Sequence, residues 1–313
     1  MNEHLRLLNG LIGFASSVEG WPKPLQEQGY VLYWVGPSYL VSNGRKSNPD
    51  LLFVSKLLNH CLIFECKSGV STDDEQLEAL MATTKEDLIQ GAQVSFSDPK
   101  TAEFDIIIVC SSDKSQPLSK ILDNGNYGFP LLVIDYSTGY AHLERASLKA
   151  EPISTTLNRG FEFDNDVWPL EFIPYDETSE LAEIASVIMP KVVSVIKSGR
   201  PHFDTDDIIR DTCPVFETLH PKEKTELARK VRSILQLARR GEFSGLLTPM
   251  PGGAQYKDKW IVSESIEVGD AEKQVGVRSL QKRASQFISR VKKGTDFTGF
   301  KEELESWQYE WEL

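Results

Sequence analysis

Asn48-Pro49-Asp50-Leu51-Leu52-Phe53-Val54-Ser55-Lys56-Leu57-Leu58-Asn59-His60-Cys61-Leu62-Ile63-Phe64-Glu65-Cys66-Lys67 is the stretch on which the fold turns. Two short apolar runs, Leu51 to Val54 and Cys61 to Phe64, flank the connection Lys56 to His60, the pattern of two antiparallel strands joined tightly. With the turn centred between Leu57 and Leu58, antiparallel pairing sets Asp50 opposite Glu65. Opposed residues have Cβ atoms only ~5 Å apart, and the i, i+2 spacing of Glu65 and Lys67 points both side chains to one face. Two carboxylates at that distance repel. A hard divalent cation with oxygen ligands offsets the repulsion most simply, and Mg²⁺ fits that description. Such an ion acidifies a bound water and neutralises charge developing on a phosphate, while the neighbouring lysine orients the attacking hydroxide. A Pro-Asp turn, or an acid two residues before a lysine, is commonplace by itself. A pair of acids at the ends of otherwise apolar strands is what a purely structural role leaves unexplained.

Pro49-Asp50, a spacer and Glu65-Cys66-Lys67 resemble the signature of the PD-(D/E)XK nuclease superfamily, the restriction-endonuclease-like fold, over residues 1 to about 135. The resemblance implies Asp50 and Glu65 as ligands of Mg²⁺ or Mn²⁺ and Lys67 as the catalytic lysine. Members often add a glutamate from the first helix, roughly ten residues before a Gly-aromatic pair that opens the first strand. Gly29-Tyr30 precedes the strand Val31 to Val35, so the corresponding glutamate is Glu19. Pro22 and Pro24 break a continuous helix just after it, which keeps Glu3 as the alternative.

The remaining elements of this half read as an αβββαβ core. Leu5, Leu7, Leu8, Leu11, Ile12, Phe14 and Ala15 mark a buried helix over residues 2–18. Ser71-Thr72-Asp73-Asp74 is a helix-start signature, and Leu77, Leu80, Met81, Leu88 and Ile89 extend one crossover helix from Glu75 to Gln93. Phe104 to Cys110 is a strand buried on both faces, followed by another at Phe129 to Ile134, the parallel arrangement a crossover requires. Asp105 and Asp135 sit at strand ends and read as edge or capping groups. Residues 137–177, with Gly139, Pro152, Gly160, Pro169 and Pro174, read as an irregular connection packed on this domain through Phe161, Phe163, Trp168 and Phe172.

The chain of 313 residues is long enough for two cores. It shows no signal segment and no apolar stretch of transmembrane length, so the expectation is a cytoplasmic protein without membrane association. Four cysteines (Cys61, Cys66, Cys110, Cys213) lack disulfide or metal-ligand spacing, and the five histidines are scattered. A net charge of −12 argues against a nucleic-acid partner until its distribution is considered. Residues 200–295 hold 18 Lys+Arg against 13 Asp+Glu, leaving 16 against 33 elsewhere. Lys222, Lys224, Arg229, Lys230, Arg232, Arg239 and Arg240 lie on one helical stretch and are the candidate DNA-binding residues; Lys282, Arg283, Arg290, Lys292 and Lys293 form a second basic stretch.

The order of elements supports that reading. A helix over Thr178 to Lys197, a short one capped at Thr205-Asp206-Asp207, a basic helix opened by Pro221, and a hairpin of Phe243 to Pro249 with Tyr256 to Val262 around Pro251-Gly252-Gly253 follow the order of a winged helix. This resemblance is architectural only. Residues 300–313, with Leu304, Trp307, Trp311 and Leu313, read as a short acidic amphipathic helix. The expected fold class is therefore α/β: a nuclease-like domain with its connector over 1–177, a mainly α winged-helix-like domain over 178–270, and a helical tail over 271–313. The expected function is a Mg²⁺-dependent endonuclease acting on DNA, in a restriction, anti-phage defence or mobile-element setting, with a protein partner or a second copy as further candidates for assembly. The alternative is a winged-helix binding or assembly subunit whose nuclease-like domain is inactive.

Overall fold

The computed structural model describes residues 2–165, 171–176, 179–252, 258–263 and 270–293, with side chains of the last segment described from 279 onward. Trp168, Gly253, Tyr256, Lys257 and the tail residues Leu304, Trp307, Trp311 and Leu313 lie outside them. The chain forms two compact units, Met1–Ile173 with Glu217–Glu223, and Pro174–Phe216 with Lys224–Leu313. No helix among the described residues is long and apolar enough to cross a membrane.

In the first unit, α1 (Glu3–Phe14) starts where the Asn2 side chain accepts the Leu5 N–H at 2.7 Å, and it ends four residues before the expected limit. After α2 (Pro24–Glu27) come β1 (Tyr30–Val35), the small hairpin of β2 (Tyr39–Leu40) and β3 (Lys46–Ser47), and the central pair β4 (Leu51–Ser55) and β5 (His60–Lys67). Every residue of β4 is buried, as is β5 up to Cys66, because both faces of the sheet are covered. The expected single crossover helix is two: α3 (Asp74–Met81) and α4 (Lys85–Gln90). The break has a local cause. Thr84 and Asp87 form a reciprocal capping box, so the backbone restarts a helix at Lys85 rather than continuing from Met81.

The chain then returns as β6 (Glu103–Ser111), leads directly into α5 (Ser112–Asn124), and continues through β7 (Leu131–Asp135), β8 (Tyr140–Glu144), α6 (Glu151–Arg159) and β9 (Phe161–Glu162). These strands build one seven-stranded sheet in the order β1-β4-β5-β6-β7-β8-β9. The β5–β6 and β6–β7 pairs are parallel and the rest antiparallel. Residues 140–144 and 161–162 are thus strands of the sheet, with α6 between them, a correction to the expected irregular connection. Gly and Pro obscured the pattern because the strands are short and lie at the sheet's end. Aromatic burial explains their docking: Phe161 meets Phe14 edge-on at 4.9 Å between ring centroids, and Phe163 meets Trp21 at 5.1 Å.

Asp105, expected as an edge or capping group, is instead buried. Its carboxylate lies 3.2 Å from His60 Nε2 and accepts the Lys149 N–H at 2.8 Å, and His60 Nδ1 lies 2.9 Å from the Tyr30 hydroxyl. Asp135 does cap. Its Oδ1 accepts from the Ser137 N–H, the Ser137 hydroxyl and the Thr138 N–H, which lowers its pKa to about 2.

The second unit contains α7 (Leu181–Lys197), β10 (His202–Asp204), α8 (Thr205–Thr212), α9 (Pro221–Arg240, its first turn assigned to the first unit), β11 (Leu247–Pro249), β12 (Lys259–Val262) and α10 (Asp270–Lys292). The three strands form a sheet in the order β10-β12-β11, all antiparallel. Strand β10 is an element the sequence pattern does not announce. Its one large apolar residue, Phe203, is buried, and three residues carry too little periodicity to register. Trp260 of β12 is fully buried and its Nε1 donates to Thr205 Oγ1 at 3.2 Å. Ile184, Ile188 and Val192 of α7, Val231, Ile234 and Leu235 of α9, and Phe287 of α10 complete the core.

The β7–β8 turn offers a direct test of this packing. Gly139 has φ +69°, and a Cβ there would lie 2.3 Å from the backbone oxygen of Phe163, which cannot swing aside as a side chain would. Gly139→Ala is expected to destabilise the protein by about 1–3 kcal/mol, measured as a shift in the urea unfolding midpoint at unchanged slope.

Candidate functional site

The site is built by the last step of the β4–β5 ladder. Leu51 pairs with Phe64, the last pair of the ladder; the Asp50 N–H then donates to Phe64 O at 3.0 Å, one residue out of the ladder's register, and the Asp50 carboxylate meets the backbone of β5 just past Glu65. The Asp50 carboxylate is then held from two sides. Its Oδ2 accepts the Cys66 N–H at 2.6 Å, and its Oδ1 lies 3.1 Å from Nε2 of His4 on α1.

Glu65 is only 6% exposed. Its Oε1 accepts from Lys67 Nζ at 2.7 Å and its Oε2 from Gln76 Nε2 at 3.4 Å. Gln76 is delivered by the first turn of α3, whose N-cap Asp73 accepts the N–H groups of Glu75 and Gln76. Burial raises the Glu65 pKa to about 7, the charge of Asp50 adds to the rise, and Lys67 and Gln76 oppose it. The Cys66 thiol, between the two site residues in sequence, is pushed well up, first by burial and then by Asp50 and Glu65, so it is a protonated filler and not a nucleophile.

A neighbouring group closes the parallel side. Ser111, at the end of β6, bonds Glu3 Oε1 and lies 2.6 Å from Asp113 Oδ1, and Lys114 pairs with the other Asp113 oxygen. Glu3 therefore belongs to the same end of the sheet as His4. Glu19 does not. It is exposed in the turn after α1, whose 12 residues separate it from the end that touches Asp50, about 18 Å along the axis. Of the four expected catalytic residues the structure brings Asp50, Glu65 and Lys67 together and leaves Glu19 apart. It adds His4 and Gln76, which sequence reasoning missed. The only signals for them were a polar residue in the first turn of each helix flanking the strand pair.

The expected DNA-binding residues divide instead of forming a stripe. Arg232 pairs with Asp258, Lys230 donates to Ser179 O at 2.8 Å, and Lys224 lies over the Phe216 ring at 4.7 Å. Arg229 is exposed but paired with Glu226 at 2.6 Å, and Arg239 donates to Gln236 at 3.2 Å. Arg240 is exposed, and Lys222 lies in the first unit, 3.9 Å from Glu223. Helical periodicity separates these positions by up to half a turn, so nearness in sequence did not mean a shared face.

Among the described residues, no group of three or more His, Cys, Asp or Glu side chains is arranged to hold a metal ion. The pair Asp50 and Glu65 is a hard-oxygen donor set of the size Mg²⁺ uses when it keeps several of its waters, and a cation there would offset both the burial of Glu65 and the repulsion from Asp50. A family model described as the MJECL32 domain matches residues 3–149, a span that includes His4, Asp50, Glu65, Lys67 and Gln76. Searches of curated proteins and of solved structures found no match.

The Glu65 environment predicts a pH dependence. A carboxyl whose pKa rises on folding, here from 4.5 to about 7, binds its proton more tightly in the folded chain. Its contribution to stability is fully present below pH 4.5 and is lost as the pH rises through about 7. In metal-free buffer Glu65→Gln should therefore exceed wild type in stability at pH 8 by about 1–3 kcal/mol and match it at pH 4.5, read from urea unfolding at the two pH values. A wild-type protein as stable at pH 8 as the variant would show that Glu65 is not strained by burial.

Proposed function

We propose that this chain is a metal-dependent endonuclease that hydrolyses DNA phosphodiester bonds, with the chemistry in the first unit and substrate binding in the second. The observation that carries the reading is the convergence of the two carboxylates at the end of the β4–β5 hairpin, Asp50 bonded to the Cys66 N–H and Glu65 to Lys67. The order β4-β5, helix, β6, β7 with parallel pairs at β5–β6–β7 supports a restriction-endonuclease-like core. In the second unit, helix, strand, two helices and a hairpin, with the lone strand paired to the second strand of the hairpin, support a winged-helix-like module.

Asp50 and Glu65 would hold Mg²⁺ or Mn²⁺, which when bound supplies an acidified water and positive charge against the phosphate. The remaining roles fall to this chain's own groups. The Cys66 N–H and His4 fix the orientation of the Asp50 carboxylate, and Gln76 fixes that of Glu65. Burial of Glu65 strengthens the bonds it accepts from Lys67 and Gln76. Lys67, released from Glu65 Oε1 when that oxygen takes another partner, places an ammonium beside the reacting phosphate and steadies the attacking water. The competing reading, an inactive assembly subunit, draws on one observation: no third carboxylate joins the pair among the described residues.

Plasmid cleavage with Mg²⁺ or Mn²⁺ decides between them. Wild type should cut and Asp50→Ala should not. Lys67→Ala should retain DNA affinity while its single-turnover rate falls by about 10²–10⁴. A wild-type protein that leaves DNA intact with either ion would overturn the enzyme reading, and an unchanged rate for Lys67→Ala would reduce that residue to an ion-pair partner of Glu65.

A further inference from the structure

From Ser279 to Lys293, α10 and the residue that follows it carry Lys282, Arg283, Arg290, Lys292 and Lys293 and not one Asp or Glu. Two of these cations are committed. Arg290 makes a two-point contact with Glu242, Nε to Oε1 at 3.0 Å and Nη2 to Oε2 at 2.9 Å, and Arg283 donates to the Glu242 backbone oxygen at 2.9 Å. Lys282, Lys292 and Lys293 are exposed, and none of their ammonium groups makes an ion pair or hydrogen bond among the described residues. A cavity of about 470 Å³ runs along this face, lined by Lys282, Ser285, Gln286, Ser289, Arg290 and Lys293.

The contrast with α9 decides where an anion would bind. The α9 cations are largely consumed by contacts within their own unit, whereas the α10 lysines find no such partner among the described residues. Positions 282, 285, 286, 289 and 293 recur at helical spacing and so form one face, with lysines at its two ends and hydroxyl and amide donors between them. Eleven residues of α-helix span about 16 Å, enough to face several phosphates of one strand of a duplex, which carries a phosphate every ~3.4 Å of its axis. Neutral side-chain donors between cations are the groups that contact phosphate oxygens without reading sequence.

We infer that this α10 groove, and not the basic stretch of α9, is the surface through which the second unit binds the phosphate backbone of duplex DNA. The inference rests on the proposed nuclease reading for the identity of the anion. Full-length Asp50→Ala protein is the background, so that binding is measured without cutting. Fluorescence anisotropy with a 20-bp random duplex, titrated across salt, compares that background with added K282E/K293E and with added R229E on α9. The α10 pair should lose at least about tenfold in affinity, and its dependence of log K on log salt should flatten by about two units. The α9 variant should change affinity less than about threefold, and circular dichroism should show all three folded. Equal affinity for the α10 variant and its background would overturn the inference while leaving the nuclease reading to the cleavage assay. Duplex binding that depends on Lys282 and Lys293 in a protein that never cuts DNA would uphold the inference and overturn the nuclease reading.

Discussion

The burial of Glu65 against Asp50 is the constraint from which the rest of the first unit follows. Two carboxylates at the ends of largely apolar strands are costly to ionise together, and the cost falls only if a proton, a lysine or a cation sits between them. The neighbouring elements supply the groups that meet the two carboxylates: α1 a histidine, β5 a backbone N–H and a lysine, α3 a glutamine. The site is therefore a junction of four elements, and its geometry is as rigid as the sheet that carries it.

That rigidity depends on fixing α1 relative to β4 and β5. Asn9 of α1 is fully buried and exchanges two hydrogen bonds with the backbone of Ile173, at 2.9 and 2.8 Å, which ties the end of the first unit's main segment back to its first helix. The line of Tyr30, His60 and Asp105 bridges β1, β5 and β6 at the opposite end of the strands. Polar groups buried in this way constrain register, because a one-residue slip would leave each of them without a partner. The sheet is held at one end by neutral and paired groups. At the other end it presents its charge.

The second unit distributes charge on a different principle. The excess of cations over residues 200–295 reads in the sequence as one basic region, but the folded unit uses many of those cations as internal fasteners: Arg232 to Asp258, Lys230 to Ser179, Arg290 and Arg283 to Glu242. A cation already paired within the fold contributes little to the field outside, so a count of basic residues overstates the surface available to a polyanion. What remains unpaired on α10 among the described residues is a smaller set with a defined direction.

The sequence by itself determined the hairpin, its register and the three residues Asp50, Glu65 and Lys67, because strand alternation and antiparallel pairing are local rules with a period of two and leave a single solution once the turn is placed. It also determined the order of helices and strands in both units wherever apolar periodicity ran longer than about one helical turn. It did not determine which first-helix residue reaches the site. The choice between Glu19 and the beginning of α1 depends on where that helix stops and which end meets β4, and those are decided by burial of Leu7, Leu11 and Phe14 against the sheet. Nor could it show that residues 140–144 and 161–162 join the sheet, since short strands at its end signal themselves only by the partner they find. The same holds for the cations of α9: whether an arginine faces water or an aspartate 26 positions away is a property of the tertiary structure alone, because the partner is brought near only when the chain folds.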